Sequence, residues 1–330
     1  MPKIKIYNSF LLKKDFKKLI NQKKKNNLNI ILCFPCLEGE NIRVLSNELK
    51  ISQKACQNGL LDKVCLIFSG PSNSSIVKMA KNLGTEVVLS SEVSVPDMSK
   101  TASSDKGKGA DMRRFLYFAY HHFFKTPLKK NIVGFIDADI KPNAFGLHYL
   151  IGLFGPFINN SQVKFTKLVY RRKKGFGRVN EILAQPIVSL FKNYRLSFLS
   201  SIPYLLSGEV AFRGDFILEK KFIQRYGIEI YILLQTVLDK NFKSSYFALS
   251  NVGFMDHKHQ SLSNLRSMSF GILKIWLKAL EDYKLINFSK KIKLSEILNY
   301  ALIENKNNQI SYYQKDLSEK IYQPLIKVIK

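Results

Sequence analysis

Between residues 29 and 136 the chain alternates short apolar runs with amphipathic segments of helical period, and few architectures accept that pattern. Runs rich in β-branched residues fall at 29–34, 63–68, 86–89 and 131–136, with helical patterns between them at 41–50, 74–83 and 109–124. Nearly continuous apolar strands joined through amphipathic helices predict an α/β fold: a mainly parallel sheet covered on both faces, with ligands beyond the carboxyl ends of the strands. Functional residues are therefore expected just after the strands.

Beyond residue 150 the pattern loosens into a strand-like 163–170, a helix over 178–191, a Ser207-Gly208-Glu209 turn, a helix over 228–238 and a strand-like 246–254. From residue 261 the chain reads as mostly helical. The Lys- and Asn-rich first 28 residues read as an exposed helical or frayed basic arm, and the Ser-rich loop 90–105, with Pro96, as a flap. The expected division is an arm at 1–28, a first half at 29–140, a second at 141–260 and a helical region at 261–330.

With 46% hydrophobic and 12% aromatic residues in 330, the chain can bury a large core, which excludes disorder. Its charge is lopsided, 52 Lys+Arg against 25 Asp+Glu, and +27 suits nucleic acid, an anionic membrane surface or phosphorylated substrates. Runs such as Lys23-Lys24-Lys25 read as a solvated surface. A nucleic-acid binder would interleave basic residues with exposed aromatics, and these lysine runs do not. No apolar stretch is long enough to span a membrane, and lysines break up the first 18 residues, so a cytoplasmic protein is expected. Cys33-x-x-Cys36 has the spacing of a redox or zinc pair, but Cys33 lies within an apolar strand and no second pair follows, which favours packed, reduced thiols.

Asp137 and Asp139 leave the end of the 131–136 run, and because alternate side chains of an extended chain share a face, both point the same way. Two such carboxylates either bracket Mg²⁺ or Mn²⁺ beside a diphosphate or form a solvated acidic turn. Lys106-Gly107-Lys108-Gly109 precedes a helix, where glycines admit a phosphate to the backbone and a lysine adds charge; the competing reading is a short basic turn. It is not a P-loop, and no G-x-G-x-x-G follows the first strand, which argues against ATPases and dinucleotide dehydrogenases. His257 follows a strand-like segment and is either a metal ligand or a surface residue. Glu229 is either a buried acid with a task or a helix-start carboxylate. Arg171, Arg172 and Arg178, with Gly175 and Gly177 among them, either grip an acidic substrate or form a solvated loop.

Taken in order, Pro35-Cys36-Leu37, Ser69-Gly70, Gly107-Lys108-Gly109, 135–139, 177–181, Ser207-Gly208-Glu209, 226–230 and His257 resemble the glucosyl-3-phosphoglycerate synthase family. These are retaining glycosyltransferases of GT-A fold. The resemblance covers about residues 29–260 and implies transfer of glucose from UDP- or GDP-glucose to 3-phosphoglycerate in glucosylglycerate (compatible-solute) synthesis, with Mg²⁺ or Mn²⁺, in a homodimer. By the same resemblance Pro35, Cys36, Leu37 and Ser69 hold the nucleobase, Lys108 the nucleotide, and Asp137 with Ala138 the ribose side of the donor. Asp139 and His257 bind the metal, Gly177, Arg178, Asn180 and His259 face the acceptor, and Glu229 with Asp139 serves the reacting centre.

The chain departs from the family pattern at Glu38-Gly39-Glu40, at Phe68 where an Asp is expected, at Asn180 in place of a Thr, and at His259 in place of an Asn. The last two touch the acceptor site, which keeps another small acidic acceptor, such as glycerate or a different phosphate, as the alternative, beside a non-enzymatic nucleic-acid-binding protein.

Overall fold

The computed structural model describes residues 4–99, 105–172, 175–190, 195–256, 262–286, 299–306, 309–316 and 320–329. In chain order the strands are β1 (Lys5–Asn8), β2 (Asn29–Leu37), β3 (Lys63–Ser69), β4 (Glu86–Leu89), β5 (Asn131–Phe135) and β6 (Phe165–Arg171). Then come β7 (Val210–Arg213), β8 (Phe222–Ile223), β9 (Phe247–Phe254), β10 (Asn299–Lys306), β11 (Gln309–Asp316) and β12 (Ile321–Tyr322). The helices are α1 (Ser9–Lys14), α2 (Phe16–Lys25), α3 (Ile42–Gln57), α4 (Ser75–Asn82) and α5 (Lys108–His122). They continue with α6 (Leu147–Asn159), α7 (Gln185–Leu190), α8 (Gly214–Ile217), α9 (Ile228–Leu238) and α10 (Leu262–Asp282).

Eight strands form one sheet in the order β1-β9-β6-β7-β5-β2-β3-β4. All neighbours pair in parallel except β7, which runs antiparallel between β5 and β6. The alternation along β2 explains the two layers. Ile31 and Cys33 pack with α5, α9 and α10 on one face, while Ile30, Leu32 and Phe34 pack with α3, α4 and α6 on the other. The expected α/β architecture with both faces covered is therefore present, and strands from both sides of residue 140 share the one sheet. Helix starts obey local capping chemistry: Asn41 Oδ1 accepts from the N–H groups of Arg43 and Val44, and Ser74 Oγ from that of Ile76.

Three elements depart from the expected pattern. The first 28 residues are helical over α1 and α2 with exposed lysines, as expected, but they are not a free arm: β1 adds to the sheet edge in register with β9, and Leu19 and Ile20 of α2 are buried. Burial of that apolar stripe outweighs the solvation of the lysines around it. Helix α6 carries Gly152, Gly155 and Pro156 within an almost wholly apolar run, so it has no polar face to betray it, and it is buried along nearly its whole length. Among the described residues of the C-terminal region, the α-helix α10 is followed by β10 and β11, which pair antiparallel. Tyr, Ile and Leu in 299–316, on either side of Asn307-Asn308, favour strands over a helix.

Candidate active site

The carboxyl ends of β2 and β5, the first turns of α5 and α9, and the loops before β7 and α7 converge on a cleft of about 240 Å³. This is the position expected of a ligand site in an open, mainly parallel sheet. Helix α10 closes one side with Leu265, Met268 and Ile272.

Lys108 opens α5 and is the electrostatic centre. Its Nζ lies 2.5 Å from Asp137 Oδ1 and also pairs with Glu229, the second residue of α9. Burial works against the ammonium charge, but the two carboxylates outweigh it and hold the Lys108 pKa well above the usual lysine range. Gly107, at φ +128°, lets the chain turn into α5 at this point. The antiparallel register of β7 carries Gly208 opposite Asp137, where a Cβ would collide with the Asp137 carboxylate.

Asp139 and Ala138 line the same cleft. The backbone just after Asp139 is anchored from behind: the Ile140 N–H donates to Glu48 Oε1 at 2.9 Å, and Glu48 is fully buried on α3. Its Oε2 has no hydrogen-bond partner. Burial, with Asp139 and Asp137 nearby, pushes the Glu48 carboxyl well above the carboxylate range, against the opposing pull of the Ile140 N–H. The next residue is tied as well, because the Lys141 N–H donates to the Asp256 carbonyl at 2.9 Å and its Nζ meets Asp256 Oδ2 at 2.6 Å.

Pro35 and Leu37 line the cleft, but Cys36 does not. The pleat of β2 turns its side chain into the core, where burial raises its thiol pKa, so Cys36 offers a donor nothing but backbone. Ser69 stands one step back: its hydroxyl donates to Asp111 at 2.9 Å, and Ser90 donates to the same carboxylate at 2.5 Å. Asp111, together with Glu40, lines the cleft. Of the acids in the divergent Glu38-Gly39-Glu40 stretch, Glu40 is thus the one that reaches it.

Gly177, Arg178 and Asn180 border the opposite side. Asn180 begins a π-helical turn, and its amide is committed to the backbone: Nδ2 donates to the Pro203 carbonyl at 3.0 Å, and Oδ1 accepts from the Leu205 N–H at 2.8 Å. It therefore fixes the segment that carries Tyr204 while bordering the cleft itself. Arg172 and Tyr204 also face the cleft, with the guanidinium 5.5 Å from the ring centre. Arg171, its neighbour on the pleat, turns instead into a separate groove. Tyr204 carries no local motif, and only the fold brings it to the cleft, beside Tyr226 of the 226–230 stretch.

His257 and His259 lie outside the described residues. Among the described residues no group of three or more His, Cys, Asp and Glu side chains stands ready to hold a metal. The side chains at the end of β5, Asp137 and Asp139, are oxygen donors without a thiol among them, and this set fits a hard cation such as Mg²⁺ or Mn²⁺.

No protein-family model matches the chain. A curated relative, the glucosyl-3-phosphoglycerate synthase of Petrotoga mobilis, is 29% identical over 308 residues, which cover 89% of this chain and 85% of that protein. The glucosyl-3-phosphoglycerate synthase of Mycobacterium tuberculosis is 26% identical over 225 residues, 64% of this chain and 62% of that one. A solved structure of the M. tuberculosis enzyme with Mn²⁺, UDP and phosphoglyceric acid superposes with a TM-score of 0.77 at 21% identity, covering both chains in full. The mannosyl-3-phosphoglycerate synthase of Rubrobacter xylanophilus gives 0.80 at 20% identity, over 99% of this chain and 98% of that one. The fold is accordingly GT-A-like.

Proposed function

We propose, from the chain's kinship with the glucosyl-3-phosphoglycerate synthases, that it transfers glucose from a nucleoside-diphosphate-glucose to 3-phosphoglycerate with retention of the anomeric configuration. UDP-glucose is the first donor to test, because solved relatives bind it with Mn²⁺ and phosphoglyceric acid. The observation that carries the reading is the meeting of Lys108, Asp137, Asp139, Arg178 and Glu229, from four separate stretches of chain, in one cleft at the carboxyl ends of the strands. Both substrates are anions, in keeping with the net charge of +27.

In this reading Pro35 and Leu37, with Ser69 behind Asp111, border the nucleobase, and Asp137 and Ala138 border the ribose. Lys108 stands between Asp137 and Glu229, where its charge faces a diphosphate. Arg178 and the backbone at Gly177 hold the acceptor's acidic groups, a role the family resemblance extends to His259. A divalent cation held by Asp139 and His257 would neutralise charge on the diphosphate leaving group. Glu229 is engaged by Lys108 and is therefore poorly placed to act as a covalent nucleophile.

We infer a front-face displacement. The bond from glucose C1 to the diphosphate oxygen breaks, the C1 bond to the acceptor hydroxyl oxygen forms, and the hydroxyl proton passes to the departing phosphate. A cytoplasmic location accords with the four free cysteines, and no helix among the described residues is long and apolar enough to cross a membrane.

Incubating the protein with UDP- or GDP-glucose, 3-phosphoglycerate and Mn²⁺ or Mg²⁺ tests donor, acceptor and metal together. Glucosyl-3-phosphoglycerate formed only with a divalent ion, and lost on adding EDTA, is the expected result. Turnover with free glycerate but not with 3-phosphoglycerate would replace the acceptor, and a glycosyl adduct on Glu229 would overturn the displacement.

A further inference from the structure

A second surface lies on the same edge of the sheet as the cleft, because every strand of the sheet except β7 runs in one direction. It is built from β1, α1 and the end of β9. Ile6 is 61% exposed, Phe10 49%, Leu11 58% and Phe254 45%, while most large apolar side chains of the fold are buried. These residues are neighbours in space. Phe10 stacks on His148 with ring centres 4.8 Å apart, and a Cβ on Gly253 would sit 3.3 Å from the Phe10 ring. Ile6 and Phe254 line one groove with Arg171, and Arg172 belongs to both this groove and the cleft.

The surface is also basic. The first 25 residues hold nine lysines and one acid, Asp15. Lys5, Lys13, Lys14, Lys17 and Lys18 are exposed around the apolar side chains, and nearby Asp256 is taken up by Lys141. Exposed Phe, Leu and Ile ringed by lysine is the composition of a surface that sinks apolar groups between lipid tails while ammonium groups meet anionic headgroups. A second copy of the chain is a poor occupant, since apposing two such faces brings like charges together.

We propose that this face binds the surface of an anionic lipid membrane, which places the mouth of the cleft beside the bilayer. The assignment is independent of the glucosyl-transfer reading.

The test is cosedimentation of the full chain with phosphatidylcholine vesicles, with or without phosphatidylglycerol. Binding to the anionic vesicles alone, weakened by salt, is expected. Lys13→Glu/Lys14→Glu should weaken it about tenfold or more. Phe10→Ser/Leu11→Ser should weaken it at unchanged net charge. A matched reversal on α4 at the opposite edge of the sheet, Lys78→Glu/Lys81→Glu, should leave binding nearly intact, and thermal melting shows that each variant is folded. Three results overturn the proposal: no preference for anionic vesicles, an equal loss from the α4 reversal, or light scattering in which Phe10→Ser/Leu11→Ser turns a dimer into a monomer. The last would make the face an interface between copies.

Discussion

Lys108 Nζ sits 2.5 Å from Asp137 Oδ1 and pairs on its other side with Glu229, so one ammonium group holds together acids from the end of β5 and the start of α9. Lys108 and Glu229 are nearly buried, and removing the lysine would leave carboxylate charge uncompensated. Lys108→Met should cost about 3 kcal/mol in denaturant unfolding, near the lower end for breaking a buried pair. Adding Glu229→Gln should restore much of that stability but none of the turnover, which should fall about 10²–10³-fold in kcat/KM. Full stability in Lys108→Met alone would show that the pair does not hold the site together.

Asn180 acts through Tyr204. Because its amide clasps the Pro203 carbonyl and the Leu205 N–H, Asn180→Ala should destabilise the protein by about 1–3 kcal/mol and raise KM for the acceptor more than for the donor. Steady-state kinetics with each substrate varied separately measures this; an equal rise in both constants would assign Asn180 a general role.

Glu48 supports the Asp139 loop through the Ile140 N–H. Its raised pKa means that between the ordinary carboxylate pKa and the elevated one the unfolded chain is ionised while the folded chain stays protonated, so stability from this group declines as pH rises through that window. Glu48→Gln keeps the acceptor for the Ile140 N–H and removes the decline. Melting from pH 4 to 8 should therefore show a flatter profile, with stability at neutral pH no lower than in the parent. Glu48→Ala should lose about 2–4 kcal/mol, from the cavity and the orphaned N–H.

Lys167 is fully buried on β6, where its Nζ donates to the Ser207 carbonyl at 2.5 Å. Burial lowers its pKa to about 8, although Glu229 and Glu209 pull the other way. The unfolded chain thus takes up this proton more readily, so the destabilisation is complete below about pH 8 and is relieved as pH rises toward the unfolded lysine value of about 10.4. Cys33, Cys36 and Cys65, whose thiols burial raises, pull the other way over the same range, so the reading is the difference between the two proteins: from about pH 8 to 9.5 the parent should gain stability relative to Lys167→Met. An unchanged slope in urea unfolding would remove Lys167 as its source.

Much of the cleft was legible because its residues follow strands. The apolar run ending at Phe135 places Asp137 and Asp139 at a carboxyl edge by local periodicity alone, and Gly107 and Lys108 begin a helix by the same logic. The side-chain direction of Cys36 is not carried by the motif Pro35-Cys36-Leu37 as a block, because the pleat sends alternate residues to opposite faces. The clasp of Asn180 on Pro203 and Leu205 was not legible, because no local pattern links those residues to it.

Strand and helix periods, the carboxylates beyond β5, the basic excess and the likeness to glucosyl-3-phosphoglycerate synthases are properties of the chain read in order, since each depends on residues close in sequence. The insertion of β7 against the direction of its neighbours, the docking of β1 and α2 that turned a lysine-rich arm into part of the sheet, and the joining of Lys108 to Glu229 belong to the tertiary structure. Each depends on which distant segments pair, and that is decided by burial and register over the whole sheet.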